Sequence, residues 1–290
     1  MTRIHPIANT RKATDAQLMR GQYYTRHLHA EPIPQTIAMI AAKLDAFLNL
    51  NEGDCDSAEE CQAINTAWDV LIQPTVLQEW LNKHGYARGA YSTDVLKTMA
   101  SEGITNDGTN YKDGPYTLID PKNLQQIQTA LATCTDGGNP RTAIKLDIAA
   151  AQIDAQVDLT KPFSFITNCS PDGNVNHCTN AAGYGTAADL LMILNTNYNA
   201  SLTLPLALLP QTPSLLHYTW GQYQIADATS IANIAHVGYL RTPGSIRTTV
   251  TPPAPSPDPR PCRITRSEIR SLILTAAHDI AASIREAEGQ

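Results

Sequence analysis

The chain has 290 residues, 42% of them hydrophobic and 17% charged, with a formal net charge of −6. That length makes one large domain or two small ones, and the apolar fraction supports a sizeable core and argues against wholesale disorder. The acidic balance argues against a nucleic-acid partner, and the chain has no apolar run long enough to span a membrane.

Residues 1–33 are polar and irregular, ending at Pro32 and Pro34, and read as an N-terminal arm. They carry Arg, Lys and His but no apolar stretch of a secretory leader, so the expected location is cytoplasmic, or released by a route that leaves no such mark. Residues 35–48 have apolar spacing that suits a helix, with a strand as the alternative. Over 56–73, Ala58, Cys61, Ile64, Trp68, Leu71 and Ile72 recur at spacings of three and four, which predicts a helix, with Pro74 just beyond it. Shorter helices are predicted near 75–83 and 92–102, the second ending at Gly103. Asp120-Pro121-Lys122-Asn123 opens another, running to Leu131, with Pro121 suited to its first turn.

The pattern then changes to strands: Thr142 to Ala149, Phe163 to Thr167, Asn176 to Tyr184 and Leu215 to Ile225. Helices first and strands later predict an α+β domain with two lobes over residues 34–250. Residues 251–263 form a stiff Pro-rich linker. Thr265-Arg266-Ser267-Glu268 fits a capping box, and Ile269, Leu272, Ile273, Ala276, Ile280 and Ile284 make one stripe, so 264–290 reads as an amphipathic helix. A helix tethered in this way docks either on its own domain or on another subunit.

Six cysteines do not make a disulfide scaffold in a chain this long. Cys169 and Cys178 bracket the turn sequence Pro171-Asp172-Gly173-Asn174, so a hairpin disulfide there is one outcome. Cys55 and Cys61, if both are on one helix, are separated by about 9 Å of rise, too far to pair. No CxxC or HxxxH spacing occurs, so neither a metal nor any cofactor is expected.

Chemistry concentrates on Cys55 and His177. A thiol at a helix start is acidified by the first amides, and an imidazole arriving from a distant strand can take its proton. Cys61, inside the helix, is the weaker candidate, and a buried small hydrophobe is the plain alternative for either. His27, His29 and His84 read as solvated, His217 and His236 as structural, and Trp220 as packing over the site. Asp107-Gly108, Asp113-Gly114 and Gly137-Gly138 are turn signals.

Asn51-Glu52-Gly53-Asp54-Cys55 resembles the nucleophile segment of papain-like cysteine peptidases. It is similar in particular to the bacterial and phage branch, whose Gly-Asp-Cys precedes a helix ending in Trp, here Trp68. Glu102-Gly103-Ile104, Ile119 to Leu124, Asn176-His177-Cys178 with Ala182-Gly183-Tyr184-Gly185, and Tyr218-Thr219-Trp220-Gly221 follow in the family's order across residues 34–243. The resemblance implies a two-lobed papain-like fold with the Cys helix in one lobe, the His strand in a β-barrel-like lobe, and the site between them. It implies Cys55 as nucleophile and His177 as base. Asn49 stands where the family has an oxyanion-hole Gln, with Asn51 as the neighbouring option. For the residue that orients the histidine, Tyr218 occupies the family's Asn position, and Asn195 or Asn197, from a 187–214 insertion, is the alternative. Three functions follow: a cysteine peptidase or related amide hydrolase acting on a peptide or protein, a virion or surface-assembly subunit that keeps the shape without turnover, or a transglutaminase-like or acyltransferase use of the same pair.

Overall fold

The computed structural model describes residues 33–49, 54–133, 135–136, 139–140, 143–241 and 245–248. The N-terminal arm, the Pro-rich linker and the C-terminal helix expected from the sequence lie outside the described residues. So do His27, His29 and the Gly137-Gly138 turn.

The periodic run after Cys55 forms a helix over Cys55–Trp68. It stops short of the expected residue 73 because Asp69 takes a left-handed conformation (φ 54°), while its carboxylate accepts the amide of Ala42 at 2.8 Å. Pro74 then opens the next helix, Pro74–His84, rather than merely following the previous one, and Gly85 (φ 73°) ends it. His84 is not solvated: its ring lies 4.9 Å from Trp80 and 5.7 Å from Tyr86. A third helix, Ser92–Ser101, runs into Gly103 (φ 74°). The Asp107-Gly108 turn joins a hairpin, Ile104–Asn106 with Thr109–Lys112, whose strands are too short to have left a periodic signal. The helix expected from Pro121 begins later, as Leu124–Thr133, because Asn123 caps it by accepting the Gln126 amide at 3.0 Å.

Residues 35–48 are not helical. Ile37–Ala38 is a strand pairing with Tyr184 and Gly183, and Phe47 and Leu48 have positive φ (50° and 68°). The physical reason lies in distant tyrosines. The Tyr223 hydroxyl donates to the Met39 carbonyl at 2.8 Å and accepts the Ala41 amide at 3.1 Å, and Tyr198 donates to the Ala41 carbonyl. Backbone groups satisfied in that way need no helix. Gly183 is required for the pairing, since a Cβ there would lie 2.3 Å from the Ile37 carbonyl oxygen.

One sheet organises the rest. Its strands run, in order across the sheet, Tyr116–Ile119, Ala235–Arg241, Ile144–Ile148, His177–Thr186, Pro213–Thr219, Gln222–Asp227 and Phe163–Ile166, with Ile37–Ala38 pairing on the His177 strand. All of these pairings are antiparallel except the last, between Gln222–Asp227 and Phe163–Ile166. The expected strand Leu215 to Ile225 is two strands. Trp220 (φ 50°) and Gly221 (φ 75°) form a tight two-residue turn between them, the left-handed pair that matches hairpin twist. The segment 187–214 supplies a helix, Ala187–Asn197, capped by Thr186 and burying Ala187, Leu190 and Leu194. The Cys55 helix packs on the His177 strand. Cys55 and His177 are therefore carried by two elements that are in contact.

Candidate active site

Asp54 precedes the helix and its carbonyl accepts the amides of Ser57 and Ala58 at 2.8 and 2.9 Å, so Cys55 sits at the positive end of the helix. Cys55 is fully enclosed. Across from it the Cys178 thiol donates to the Cys55 carbonyl at 3.0 Å. Cys61 lies deeper in the helix, where burial pushes its thiol well above the ordinary range, as befits an inert core cysteine. No disulfide joins Cys55, Cys61, Cys169 or Cys178. The hairpin bridge between Cys169 and Cys178 is corrected: the strand starts at His177 and turns Cys178 toward Cys55, whereas the Cys169 sulfur accepts a hydrogen bond from Gln156 at 3.7 Å.

His177 and Cys178 are neighbours on one strand, and Cys178 is bonded to the Cys55 carbonyl. His177 is fully buried, and its Nε2 lies 2.8 Å from the Thr219 hydroxyl. Its ring stacks on Trp220, with centroids 4.7 Å apart and planes at 24°. Nδ1 makes no hydrogen bond. One nitrogen is thus anchored and the other uncommitted. The other face of this corner opens on a cavity of about 590 Å³ whose lining includes Leu44, Asp45, Ala46, Trp220, Gly221 and Gln222.

The expected orienting residues are elsewhere. The Tyr218 hydroxyl donates to the Asp45 carbonyl at 3.0 Å and accepts the Asp45 amide at 2.9 Å and the Asn65 amide at 3.3 Å, so it staples the loop before the helix and does not touch His177. Asn195 bonds both polar groups of Leu202 through its amide, closing the turn after its own helix. Asn197 bonds back to Ile193. Thr219, one position beyond Tyr218, does what neither does. It alternates with Tyr218 along the strand and therefore faces the histidine side; the Tyr-Thr-Trp-Gly run contained it. Asn49 is 1% exposed, and both ends of its side-chain amide lack a partner. Asn51 lies outside the described residues.

Behind the helix start is a buried charge network that no motif announced. Lys145 Nζ donates to the Asp56 carbonyl at 2.7 Å and lies 3.2 Å from both Glu59 and Glu60 and 3.5 Å from the Asp56 carboxylate. Arg241 pairs with Glu59, with Glu60 at 3.1 Å and with Asp113 at 3.2 Å. Burial raises Glu59 and raises Asp113 well above its ordinary value, while Arg241 and Lys145 overcome burial at Glu60 and hold it at about 2. Asp147 is pushed up to about 8, chiefly by burial and by Asp56. The geometry at the Ser92 hydroxyl agrees with a protonated carboxyl, although its hydrogen bond by itself pulls Asp147 down. Its oxygen lies 2.5 Å from carboxylate oxygens of both Asp56 and Asp147, yet it has one hydrogen, so one carboxyl must carry a proton. Asp147 is that one, and it also accepts from Tyr239 at 3.0 Å.

Asp147→Asn should therefore be tolerated, since the amide reproduces a protonated carboxyl. The sign follows from linkage. The folded state holds a proton that the unfolded chain releases near its ordinary value of 3.8, so this group's contribution to stability falls as pH rises from there to about 8. Urea unfolding at several pH values should show that slope flattened in Asp147→Asn. An unchanged slope, or a large loss of stability at every pH, would refute the assignment.

No protein-family model matches the chain, and no curated protein matches it in sequence. Its fold is similar to that of xylellain, a cysteine protease from Xylella fastidiosa, with TM-score 0.53 and 11% identity over 84% of this chain and 98% of that one. It is also similar to digestive procathepsin L2 proteinase of Tenebrio molitor larval midgut (TM-score 0.55, 12% identity, 83% and 79% covered). Digestive procathepsin L 3 of the same source gives TM-score 0.50 and 10% identity, with 78% and 77% covered. The chain has the papain-like α+β fold. Among the described residues no helix is long and apolar enough to cross a membrane.

Proposed function

We propose that this papain-like fold houses a thiol hydrolase that cuts peptide bonds with Cys55 and His177. The reading is supported above all by His177, whose Nε2 is fixed by Thr219 and whose Nδ1 is left uncommitted beneath Trp220. His177 takes the proton of Cys55 through that nitrogen. The thiolate, favoured by the helix end, attacks the substrate carbonyl carbon. The developing oxyanion takes hydrogen bonds from the Cys55 amide and the Asn49 side chain, whose buried amide has nothing else to bond. The imidazolium then protonates the leaving amine, and water releases the acyl group by the same route in reverse. Thr219 replaces the family's Asn as the group that keeps the ring oriented. Gly53-Asp54-Cys55 and the terminal Trp68 favour kinship with the bacterial and phage branch.

One observation favours a second reading. Cys55 and His177 are both fully enclosed, which suits a subunit that keeps the architecture for assembly. Iodoacetamide at neutral pH separates the two. The hydrolase reading expects fast, selective alkylation of Cys55, located by peptide mapping, lost in His177→Ala, together with cleavage of an unstructured protein that Cys55→Ala does not perform. Slow and equal alkylation of the cysteines, with no cleavage, would leave only the assembly reading.

A further inference from the structure

We propose that Cys178 is a resolving thiol for Cys55: a peroxide oxidises Cys55, and the two cysteines then join in a reversible intramolecular disulfide that shuts the site. The Cys55 and Cys178 sulfurs and an Asp56 carboxylate oxygen all lie within 4.8 Å of one another. The Cys178 sulfur already touches the Cys55 carbonyl at 3.0 Å, so its own backbone is one side chain away from that of Cys55. Closing the sulfurs from within 4.8 Å to the roughly 2 Å of a disulfide is a displacement on the scale of a thiol's side-chain rotation. Both elements are held firmly. Lys145 ties the first turn of the helix through the Asp56 carbonyl, and the strand is paired on either side, Cys178 standing opposite Asp147.

The alternatives for this cluster are weaker. Three donors of this kind resemble the beginnings of a metal site, but the Lys145 ammonium stands 3.5 Å from the Asp56 carboxylate and already supplies the positive charge a cation would bring. Cys61 is more than a helical turn from Cys55, and the Cys169 sulfur is engaged by Gln156. Among the described residues, Cys178 is the thiol placed to meet an oxidised Cys55. In the resting protein burial keeps the Cys178 thiol protonated, which matches its donation to the Cys55 carbonyl.

The chemistry balances with a peroxide as oxidant. The Cys55 sulfur attacks the peroxide, the O–O bond breaks, and Cys55 sulfenic acid and water (or an alcohol) result. The Cys178 sulfur attacks the Cys55 sulfur, the S–O bond breaks, and the departing hydroxide takes the Cys178 proton to leave as water. One peroxide is reduced and two thiols are oxidised. A dithiol reverses the step by exchange. Because both thiols are enclosed, a small oxidant is required, and the bridge protects Cys55 from further, irreversible oxidation.

The inference rests on Cys55 being reactive, as the proposed function also requires, so the test reads the bridge itself and hydrolysis separately. The full-length protein is treated with hydrogen peroxide at neutral pH, remaining thiols are alkylated, and peptides are mapped without reduction. The expected result is a Cys55–Cys178 cross-link with loss of about 2 Da, reversed by dithiothreitol. In Cys178→Ala the cross-link is absent and Cys55 gains about 32 Da as the sulfinic acid, which dithiothreitol does not reverse. Cys178→Ser serves if the alanine variant folds poorly. Cys55 reaching sulfinic acid equally fast with and without Cys178, or pairing with another cysteine, or not oxidising at all, would overturn the proposal. Cross-linking without any hydrolysis would leave the pairing standing and remove the hydrolase. Hydrolysis without cross-linking would do the converse.

Discussion

Lys145→Met should cost the protein about 3–5 kcal/mol, enough to consume much of the stability of an ordinary domain. Lys145 is fully buried among Asp56, Glu59 and Glu60, and its ammonium also donates to the Asp56 carbonyl. Methionine fills the space of the stem but leaves Glu59 and Glu60 with Arg241 as their remaining close cation among the described residues. Those groups then either bind protons or repel one another in a medium that solvates neither well. Glu60 makes the penalty depend on pH. Its folded value of about 2, below the ordinary 4.5, means its pairing adds stability that is complete above the ordinary value and is lost as pH falls toward 2. Chemical unfolding should show a lower midpoint for Lys145→Met at neutral pH, with the gap to the parent protein narrowing as the solution is acidified. A variant as stable as the parent at neutral pH would mean that Arg241 alone suffices.

The network bears on the site as well. Lys145 belongs to the strand beside His177, and register places Ile148 opposite His177 and Asp147 opposite Cys178. Asp56 is the residue after Cys55. Lys145 therefore ties the start of the Cys55 helix to the strand that carries His177, with Lys145, Asp56, Glu59 and Glu60 all excluded from water.

On the proposed hydrolase reading, His177→Ala should lower peptide hydrolysis by roughly 10²–10⁴-fold, the usual worth of a positioned acid–base group. The loss should fall on kcat, because the imidazole acts on the sulfur and the leaving amine rather than on the bound ground state. Thr219→Val should produce a smaller loss of the same kind, since it removes the hydrogen bond to Nε2 but keeps both the ring and its stacking on Trp220. Thermal melts of both variants separate this from unfolding, as His177 and Thr219 are buried. Equal kcat for the parent and His177→Ala, with both folded, would remove His177 from the chemistry.

Local signals mark residues 55 and 177 in the sequence: a cysteine after Gly-Asp at a helix start, and a histidine opening a strand. Both local structures are present, because capping chemistry and periodicity are short-range. The orienting group shows where such signals stop. Tyr218 and Thr219 are adjacent in sequence, yet a strand sends them to opposite faces, and only the sheet's position against the helix decides which face holds the histidine. Asn195 had the right chemistry but is spent on Leu202, a contact made by the turn it closes.

The same limit applies to residues 35–48, whose spacing suits a helix. Their backbone is instead satisfied by hydroxyls of Tyr198, Tyr218 and Tyr223, each more than 150 positions away. By itself, then, the sequence determined the helices at 55, 74 and 92, the His177 strand and the α+β character, because propensity, caps and patterning act within a few residues. Only the tertiary structure decided that Thr219 holds His177, that Cys178 faces Cys55, and that Lys145 and Arg241 are buried among carboxylates. Those depend on which distant faces share a volume emptied of water, and there a proton, a thiol or an ammonium takes its character from neighbours that no local pattern names.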